Sequence, residues 1–405
     1  SIVFGLERAI PFWAWTIVPY WSIDLFYGIS LFVCRDKREL DTQAFRLLTA
    51  QAIAVSCFLL FPLHFTFTRP DTGGVFGWLF DVLLGFDKPF NQAPSLHIVL
   101  LIVLWVRFAH HLSGAWRWLL HAWFALIGVS VLTTYQHHFI DIPTGVLAGW
   151  LCVWLWPERI AAPWREVLVV RDSRRWALAA AYLAAAALCA WTACSLGGWA
   201  LWLLWPALSL TLVAMNYAVF GPLGFQKRDN GRMSMAALWL YAPYLLGAWA
   251  NSRWWTRNAP QPVWVIDEIW LGRVPALGER DGYARVIDVS AELPLTPWRE
   301  GDRVRPMLDL VAPTPEQLRQ VADDIEALRG RGEILVCCAL GYSRSATAVA
   351  AWLLRSGRVA TVEDAIGVVR RARPAIVVRE RHRRALGLMM RETASPPPAL
   401  GEQIA

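Results

Sequence analysis

Cys338 and Arg344 stand six positions apart in the run Cys338-Ala339-Leu340-Gly341-Tyr342-Ser343-Arg344-Ser345. A loop of that length, set between a strand and a helix, can wrap a single phosphate group. The backbone N–H groups of Ala339, Leu340, Gly341, Tyr342 and Ser343 would point inward, and the helix N-terminus adds partial positive charge. The same field favours a thiolate at Cys338, whose free pKa is about 8.5. Arg344 can grip two phosphate oxygens as a fork. Gly341 permits the tight backbone, and the Ser345 hydroxyl can stabilise the thiolate when it leaves. A second set is spread more widely: Thr68-Arg69-Pro70, Pro94-Ser95-Leu96-His97 and His137-His138-Phe139-Ile140-Asp141. His137 and Asp141 are four apart and share one helical face. Such an Asp orients an imidazole and stabilises its charged form. His97 can protonate a leaving oxygen, and Arg69 can neutralise phosphate charge.

These residues need elements to hold them. Glu333–Cys337 reads as a short apolar strand, followed by a helix from about Arg344 to Leu354. Val263–Leu271 and Arg285–Ser290 read as further strands. Thr314-Pro315-Glu316-Gln317 is a capping box with Pro at the first helical position, opening a helix to about Leu328, and another helix covers about 362–372. Alternating strands and helices predict an α/β domain. Upstream the texture is different. Eight apolar stretches, roughly 10–33, 44–66, 95–112, 116–133, 138–156, 177–195, 199–220 and 233–250, approach the ~20 residues that cross a bilayer. The last contains Pro243 and could either span or lie at the interface.

Composition supports this division. Of 405 residues, 56% are hydrophobic and 18% charged, against about 45–50% and about 25% in soluble domains. The net charge is +7 with lysine only at Lys37, Lys88 and Lys227, so arginine dominates. Basic residues cluster around Arg35–Arg46, at Arg107 and Arg117, and from Arg159 to Arg175. With eight spans these three loops share one face, taken as cytoplasmic. Contact with anionic lipid headgroups explains such a balance, and the absence of a nucleic-acid motif excludes that partner class. The parity places Ser1 on the non-cytoplasmic side, as a missing earlier helix would. Seven cysteines, five in or beside apolar spans, do not form a disulfide framework.

The C-terminal run resembles the signature of the protein tyrosine/dual-specificity phosphatase superfamily. The likeness covers roughly 263–390 and includes Trp270-Leu271-Gly272-Arg273 and Arg371-Ala372-Arg373-Pro374. The resemblance implies that Cys338 attacks phosphorus and that an upstream Asp protonates the leaving oxygen. Asp309 is preferred for that role over Asp302 or Asp288, because the family carries its acid just before the capped helix. The family usually has His before the nucleophile; here the residue is Cys337.

The upstream set resembles the type 2 phosphatidic acid phosphatase superfamily over roughly residues 10–156. Arg69, Pro70, Ser95, His97, Ser130, His137 and Asp141 match its three blocks. Pro62, Leu96 and Val131 replace its Lys, Gly and Arg. The resemblance implies that His137 becomes phosphohistidine and that His97 is the general acid. The two lost cations suit a singly charged phosphodiester better than a phosphomonoester, and Pro-Ser-Leu-His is closer to the inositol phosphorylceramide synthase-like branch, which transfers phospho-headgroups between lipids.

The expected architecture is an α-helical polytopic membrane bundle of about eight transmembrane helices joined to an α/β dual-specificity phosphatase-like domain. Its expected parts are a catalytic core at 1–157, additional helices and linker at 158–257, the phosphatase-like domain at 258–393, and a disordered tail at 394–405. The expected function is lipid phosphate hydrolysis or headgroup transfer at His137 and removal of a terminal phosphate at Cys338, on membrane lipid phosphates and with no cofactor. No clustered His/Cys/Asp/Glu ligand set implies a metal. The alternatives are two independent lipid phosphatases, a non-catalytic phosphate-binding C-terminal module, and a transport or scaffold role for the membrane half. The upstream site is expected on the non-cytoplasmic face of the cytoplasmic membrane. Eight spans would put the C-terminal domain on that same face, and seven on the opposite one.

Overall fold

The computed structural model describes residues 2–86, 92–167, 172–276 and 278–394. Lys88, Arg171 and the tail beyond Ala394 lie outside the described residues. The chain divides into two compact units. One comprises Ser1–Arg165, Ala185–Ser209 and Met235–Leu240; the other comprises Glu166–Ala184, Leu210–Ser234 and Tyr241–Ala405.

The helices in chain order are α1 (Ile17–Phe32), α2 (Lys37–Leu60), α3 (Gly74–Phe86), α4 (Leu96–His111), α5 (Gly114–Thr133), α6 (Asp141–Leu155), α7 (Ser173–Leu196), α8 (Leu204–Met215) and α9 (Met235–Trp255). Among the described residues, four helical stretches are long and apolar enough to cross a membrane: Lys37–Leu60, Gly114–Thr133, Ser173–Leu196 and Gly198–Phe225. The eight expected spans are therefore corrected. The first breaks into 3-10 turns before a 16-residue helix. The third and fifth form helices of 16 and 15 residues, short of the ~20 that a bilayer needs. The 233–250 stretch becomes a 21-residue helix around Pro243 whose last turns carry Asn251, Ser252 and Arg253. Helix α3 stands where the sequence suggested a loop.

In the first unit the tightest helix pair is α4 with α6. A Cβ on Gly145 would sit 2.7 Å from Ile98 Cβ, and one on Gly149 would sit 2.7 Å from Ile102 Cβ. The two glycines are four apart, so they clear one stripe of α6 and let the backbones approach. Two arginines expected to face lipid headgroups are instead buried. Arg46 donates to the Trp156 carbonyl oxygen and to Glu158, and Arg107 pairs with Glu39 and Glu158. The burial of two charges demands such partners.

The second unit holds a five-stranded sheet: β1 (Val263–Ile266), β2 (Ile269–Arg273), β3 (Arg285–Ser290), β4 (Arg303–Met307) and β5 (Ile334–Cys338), in the order β1-β2-β5-β3-β4. Only β1 runs antiparallel. The single strand expected at Val263–Leu271 folds back at Asp267, which takes φ +48°, and becomes a hairpin. Helices α10 (Pro315–Leu328), α11 (Arg344–Arg355), α12 (Val362–Ala372) and α13 (Glu380–Ala394) complete the unit. The side chains of β5 alternate between two cores. Ile334, Val336 and Cys338 join the core containing α10 and α11, while Leu335 and Cys337 join a smaller one with Val286, Leu293 and, from α9, Ala248.

Candidate active sites

In the first unit, His137 Nδ1 lies 3.2 Å from Asp141 Oδ2, and the His138 backbone N–H donates to the same oxygen at 2.9 Å. Asp141 is buried at the start of α6 and His137 is nearly so. The Ser95 N–H donates to the Asp141 carbonyl oxygen at 3.2 Å, which joins the start of α4 to the start of α6. The Ser95 hydroxyl accepts from the Ile98 N–H as the helix cap. His97 stacks on Tyr20 with ring centroids 3.8 Å apart, and its Nε2 is 3.0 Å from the Tyr20 carbonyl oxygen. Ser95, His97, His137 and Asp141 thus come from two packed helix ends. The Arg69 guanidinium lies over the Phe80 ring, 4.4 Å from the centroid. Ser130 is spent on the Ile127 carbonyl oxygen. His138 pairs with the buried Glu7 at 2.6 Å. Glu7 carried no sequence signal, because its partner is 131 positions away.

One expectation is corrected here. Metal-ligating side chains do cluster: the ligand atoms of Glu39, His110 and His111 lie within 4.8 Å of one another. Their grouping depends on α2 meeting α4, which spacing alone did not reveal. Arg107 lies 3.3 Å from Glu39, so a cation already balances that carboxylate.

In the second unit, Cys338 ends β5 and Arg344 opens α11. The Gly341 N–H donates to Cys338 Sγ at 3.2 Å, and the Ser345 hydroxyl donates to it at 3.3 Å. Gly341 takes φ +76°, and a Cβ there would sit 2.5 Å from the Gly272 carbonyl carbon, so only glycine fits. Arg344 is buried. Nη1 donates to Glu292 at 2.7 Å and to the Met307 carbonyl oxygen at 2.8 Å, Nη2 donates to Glu292 at 2.5 Å, and Asp309 Oδ1 lies 3.2 Å from Nη2. Its Nε is buried and has no hydrogen-bond partner among the described residues. A buried donor left unmade is costly, and here it belongs to the loop that encircles the thiol. A cavity of about 220 Å³ opens on this loop, lined by Cys338, Asp309, Leu340, Tyr342, Ser343 and His382 among others. The backbone carbonyl of Tyr342 accepts from the Val377 N–H, while the Ser343 hydroxyl lies 3.2 Å from His382 Nε2.

Residues 286–392 match the family model described as the dual specificity phosphatase catalytic domain. The second unit carries a dual-specificity phosphatase domain. That match does not extend to the upstream helices. Among solved structures, the chain is similar to Tk-PTP in its active form (25% identity, 33% of this chain and 98% of that one, TM-score 0.28). It is also similar to human DUSP28 (25%, 34% and 97%, TM-score 0.30) and to PTPMT1 (20%, 33% and 96%, TM-score 0.28). Among curated proteins, none matches the sequence.

Within the phosphatase domain the three candidate acids separate cleanly. Asp288 is buried against Lys227, and Asp302 is buried against Arg280 and the Val286 N–H. Asp309 alone reaches the guanidinium of Arg344 and lines the cavity, with 26% of its side chain exposed. Crowding by surrounding atoms, reinforced by Glu292, raises its pKa despite Arg344. Burial works against a charged Glu292, yet Arg344 overrides it and holds that carboxyl below its usual range. Glu292 escaped the sequence reading because it is a lone acid in the loop after β3. Cys337 turns away from the site into the opposite core, where burial pushes its thiol well up. Lys227 also escaped notice. It reaches Asp288 at 2.5 Å and the carbonyl oxygens of Ser290 and Leu293, from a segment that read as a connection between spans.

Proposed function

We propose that this chain is a membrane-bound phosphohydrolase with two phosphate sites, the one at Cys338 removing a terminal phosphate from a lipid phosphomonoester. The observation that carries the Cys338 reading is the convergence on one sulfur of the Gly341 N–H, the Ser345 hydroxyl and a loop that holds the unpartnered Nε of Arg344. The Cys338 thiolate attacks phosphorus and forms an S–P bond. The bond from phosphorus to the leaving oxygen breaks, and that oxygen takes the proton of Asp309. Water then attacks the phosphocysteine, giving up a proton to the Asp309 carboxylate. Phosphate departs, and the thiolate returns under the Ser345 hydroxyl. Arg344 gathers the charge of the equatorial oxygens, held in place by Glu292.

At the membrane site His137, its ring held by Asp141, attacks phosphorus and forms an N–P bond while the P–O bond to the leaving alcohol breaks and that oxygen takes a proton from His97. The hydroxyl of a lipid acceptor, or water, then attacks phosphorus, gives its proton to His97 and releases His137. Pro62 and Val131 stand where the resembled blocks carry Lys and Arg, and fewer cations favour a singly charged phosphodiester and hence headgroup transfer.

The test compares the full chain with Cys338→Ser and with His137→Ala. Cys338→Ser is expected to lower hydrolysis of a small aryl phosphate by roughly 10³-fold or more. His137→Ala is expected to remove the lipid phosphate conversion that survives in Cys338→Ser. Undiminished aryl phosphate hydrolysis in Cys338→Ser would reduce the C-terminal domain to a phosphate-binding module.

A further inference from the structure

A second cavity, of about 580 Å³, shares Asp309, Leu310 and Leu340 with the first but does not include Cys338. Its remaining walls come from Glu292, Ala339 and the helices of the same unit: Tyr182 of α7, Leu210 of α8, and the Pro243–Trp255 stretch of α9. Helix α9 is tied to the catalytic loop, since the Ser252 hydroxyl donates to the Ala339 carbonyl oxygen at 2.5 Å. The preceding helical segment is tied to the acid, since the Tyr217 hydroxyl donates to the Asp309 carbonyl oxygen at 3.1 Å. The cavity is therefore held in register with the chemistry.

In the displacement at phosphorus the leaving oxygen lies opposite the attacking sulfur and beside the acid. The part of the substrate attached to that oxygen must continue past Asp309, away from Cys338. The second cavity meets Asp309 without meeting Cys338, and it has more than twice the volume of the first. Its walls are mixed in a definite way. Leu210, Pro243, Ala248 and Leu310 are apolar, whereas Tyr182, Tyr244 and Asn251 offer hydroxyl and amide groups. Two of the contributing helical stretches, Ser173–Leu196 and Gly198–Phe225, are long and apolar enough to cross a membrane. The lining carries neither Lys nor Arg. A second anionic group would find no cation among these lining residues, whereas Arg379 and His382 belong to the first cavity.

We infer that the second cavity is the leaving-group site of the Cys338 reaction and that it takes the alcohol part of a phosphomonoester lipid with no further anionic group. The polar neck of the lipid meets Tyr182, Tyr244 and Asn251, and its chains run along α7 and α9. This inference rests on Cys338 being the nucleophile, and the experiment separates the two. The full chain carrying His137→Ala, which removes the other site, is assayed in mixed micelles on four probes: dioctanoyl phosphatidic acid, a lipid with a phosphodiester beside its terminal phosphate, a phosphotyrosine peptide and 4-nitrophenyl phosphate.

A Cβ on Gly247 meets nothing within 4 Å, so Gly247→Phe adds a ring to the cavity without a backbone clash. The ratio of kcat/KM for phosphatidic acid to that for 4-nitrophenyl phosphate is expected to fall by about tenfold or more. Leu246→Phe, on the exposed side of α9, leaves the ratio where it was. Asn251→Trp repeats the test should Gly247→Phe fail to fold, with folding judged by the aryl phosphate rate. An unchanged ratio in both cavity variants overturns the inference. So does a wild-type preference for the peptide or for the phosphodiester-bearing lipid over phosphatidic acid. Persistence of aryl phosphate hydrolysis in Cys338→Ser overturns the underlying assignment instead.

Discussion

The two proposed sites are built by different means. Around Cys338, eight consecutive residues would supply the nucleophile, the backbone donors, the guanidinium and the hydroxyl, and the turn from β5 into α11 places them. Around His137, the proposed working groups come from segments some forty positions apart, and close packing of α4 on α6 has to deliver them. A contiguous site depends on local backbone geometry, which tolerates change elsewhere. A dispersed site inherits every shift of the helices that carry it. The contrast also separates their electrostatics. Arg344 is fixed among Glu292, Asp309 and the Met307 carbonyl oxygen, whereas Arg69 lies over the Phe80 ring.

The sharpest way to break the comparison is to remove the proton donor from the contiguous site. Asp309→Asn is expected to lower kcat on a poor leaving group by about 10²–10⁴-fold, with little effect on a leaving group that departs unprotonated. The sign of the pH dependence follows from the raised pKa of Asp309. Its acid form persists to higher pH than an ordinary Asp allows, and activity falls as pH rises through that pKa. Asp309→Asn should abolish this basic limb. A limb that survives in the variant would assign the proton to another group.

A second substitution tests whether the contiguous site is as self-sufficient as its sequence suggests. Lys227 and Asp288 are both fully buried and lie 2.5 Å apart. Lys227→Met leaves the carboxylate without its cation, a change that costs about 3 kcal/mol. That is the low end of the range for a broken buried pair, because the Ser290 N–H and hydroxyl still hold Asp288 Oδ1. Thermal unfolding of the full chain should show the loss, and Lys227→Met with Asp288→Asn should recover most of it. No recovery would mean that the contacts of Lys227 with the Ser290 and Leu293 carbonyl oxygens matter more than the charge pair.

Legibility followed the same division. Cys338, Gly341, Arg344 and Ser345 could be placed from spacing because strand, loop and helix are consecutive, and Thr314 and Gln317 form the capping box that their order implied. Glu292 could not, since its role arises only where the loop after β3 meets the start of α11. Strand β4 was missed because Pro306 and two arginines dilute its apolar pattern. The span count failed for a related reason: composition sets an upper bound on apolar length, whereas the 3-10 turns before α1 and the short α4 and α6 depend on tertiary packing. Lys227 and the cluster of Glu39, His110 and His111 are long-range meetings that no local pattern announces.

The smallest expected effect probes the dispersed site through its packing alone. Gly149 touches neither His137 nor His97, but a Cβ there would sit 2.7 Å from Ile102 Cβ and 3.0 Å from the Val99 carbonyl oxygen. Gly149→Ala improves helix propensity by about 1 kcal/mol and introduces overpacking that costs about 2 kcal/mol. The clash wins, for a net loss of about 1 kcal/mol and a wider separation of α4 from α6. Because the Ser95 N–H must reach the Asp141 carbonyl oxygen across that same contact, the His137-dependent activity should fall several-fold more than a loss of folded protein explains. Measured together with unfolding, a drop in activity that merely tracked stability would show that the helix ends hold the site without help from the glycine stripe.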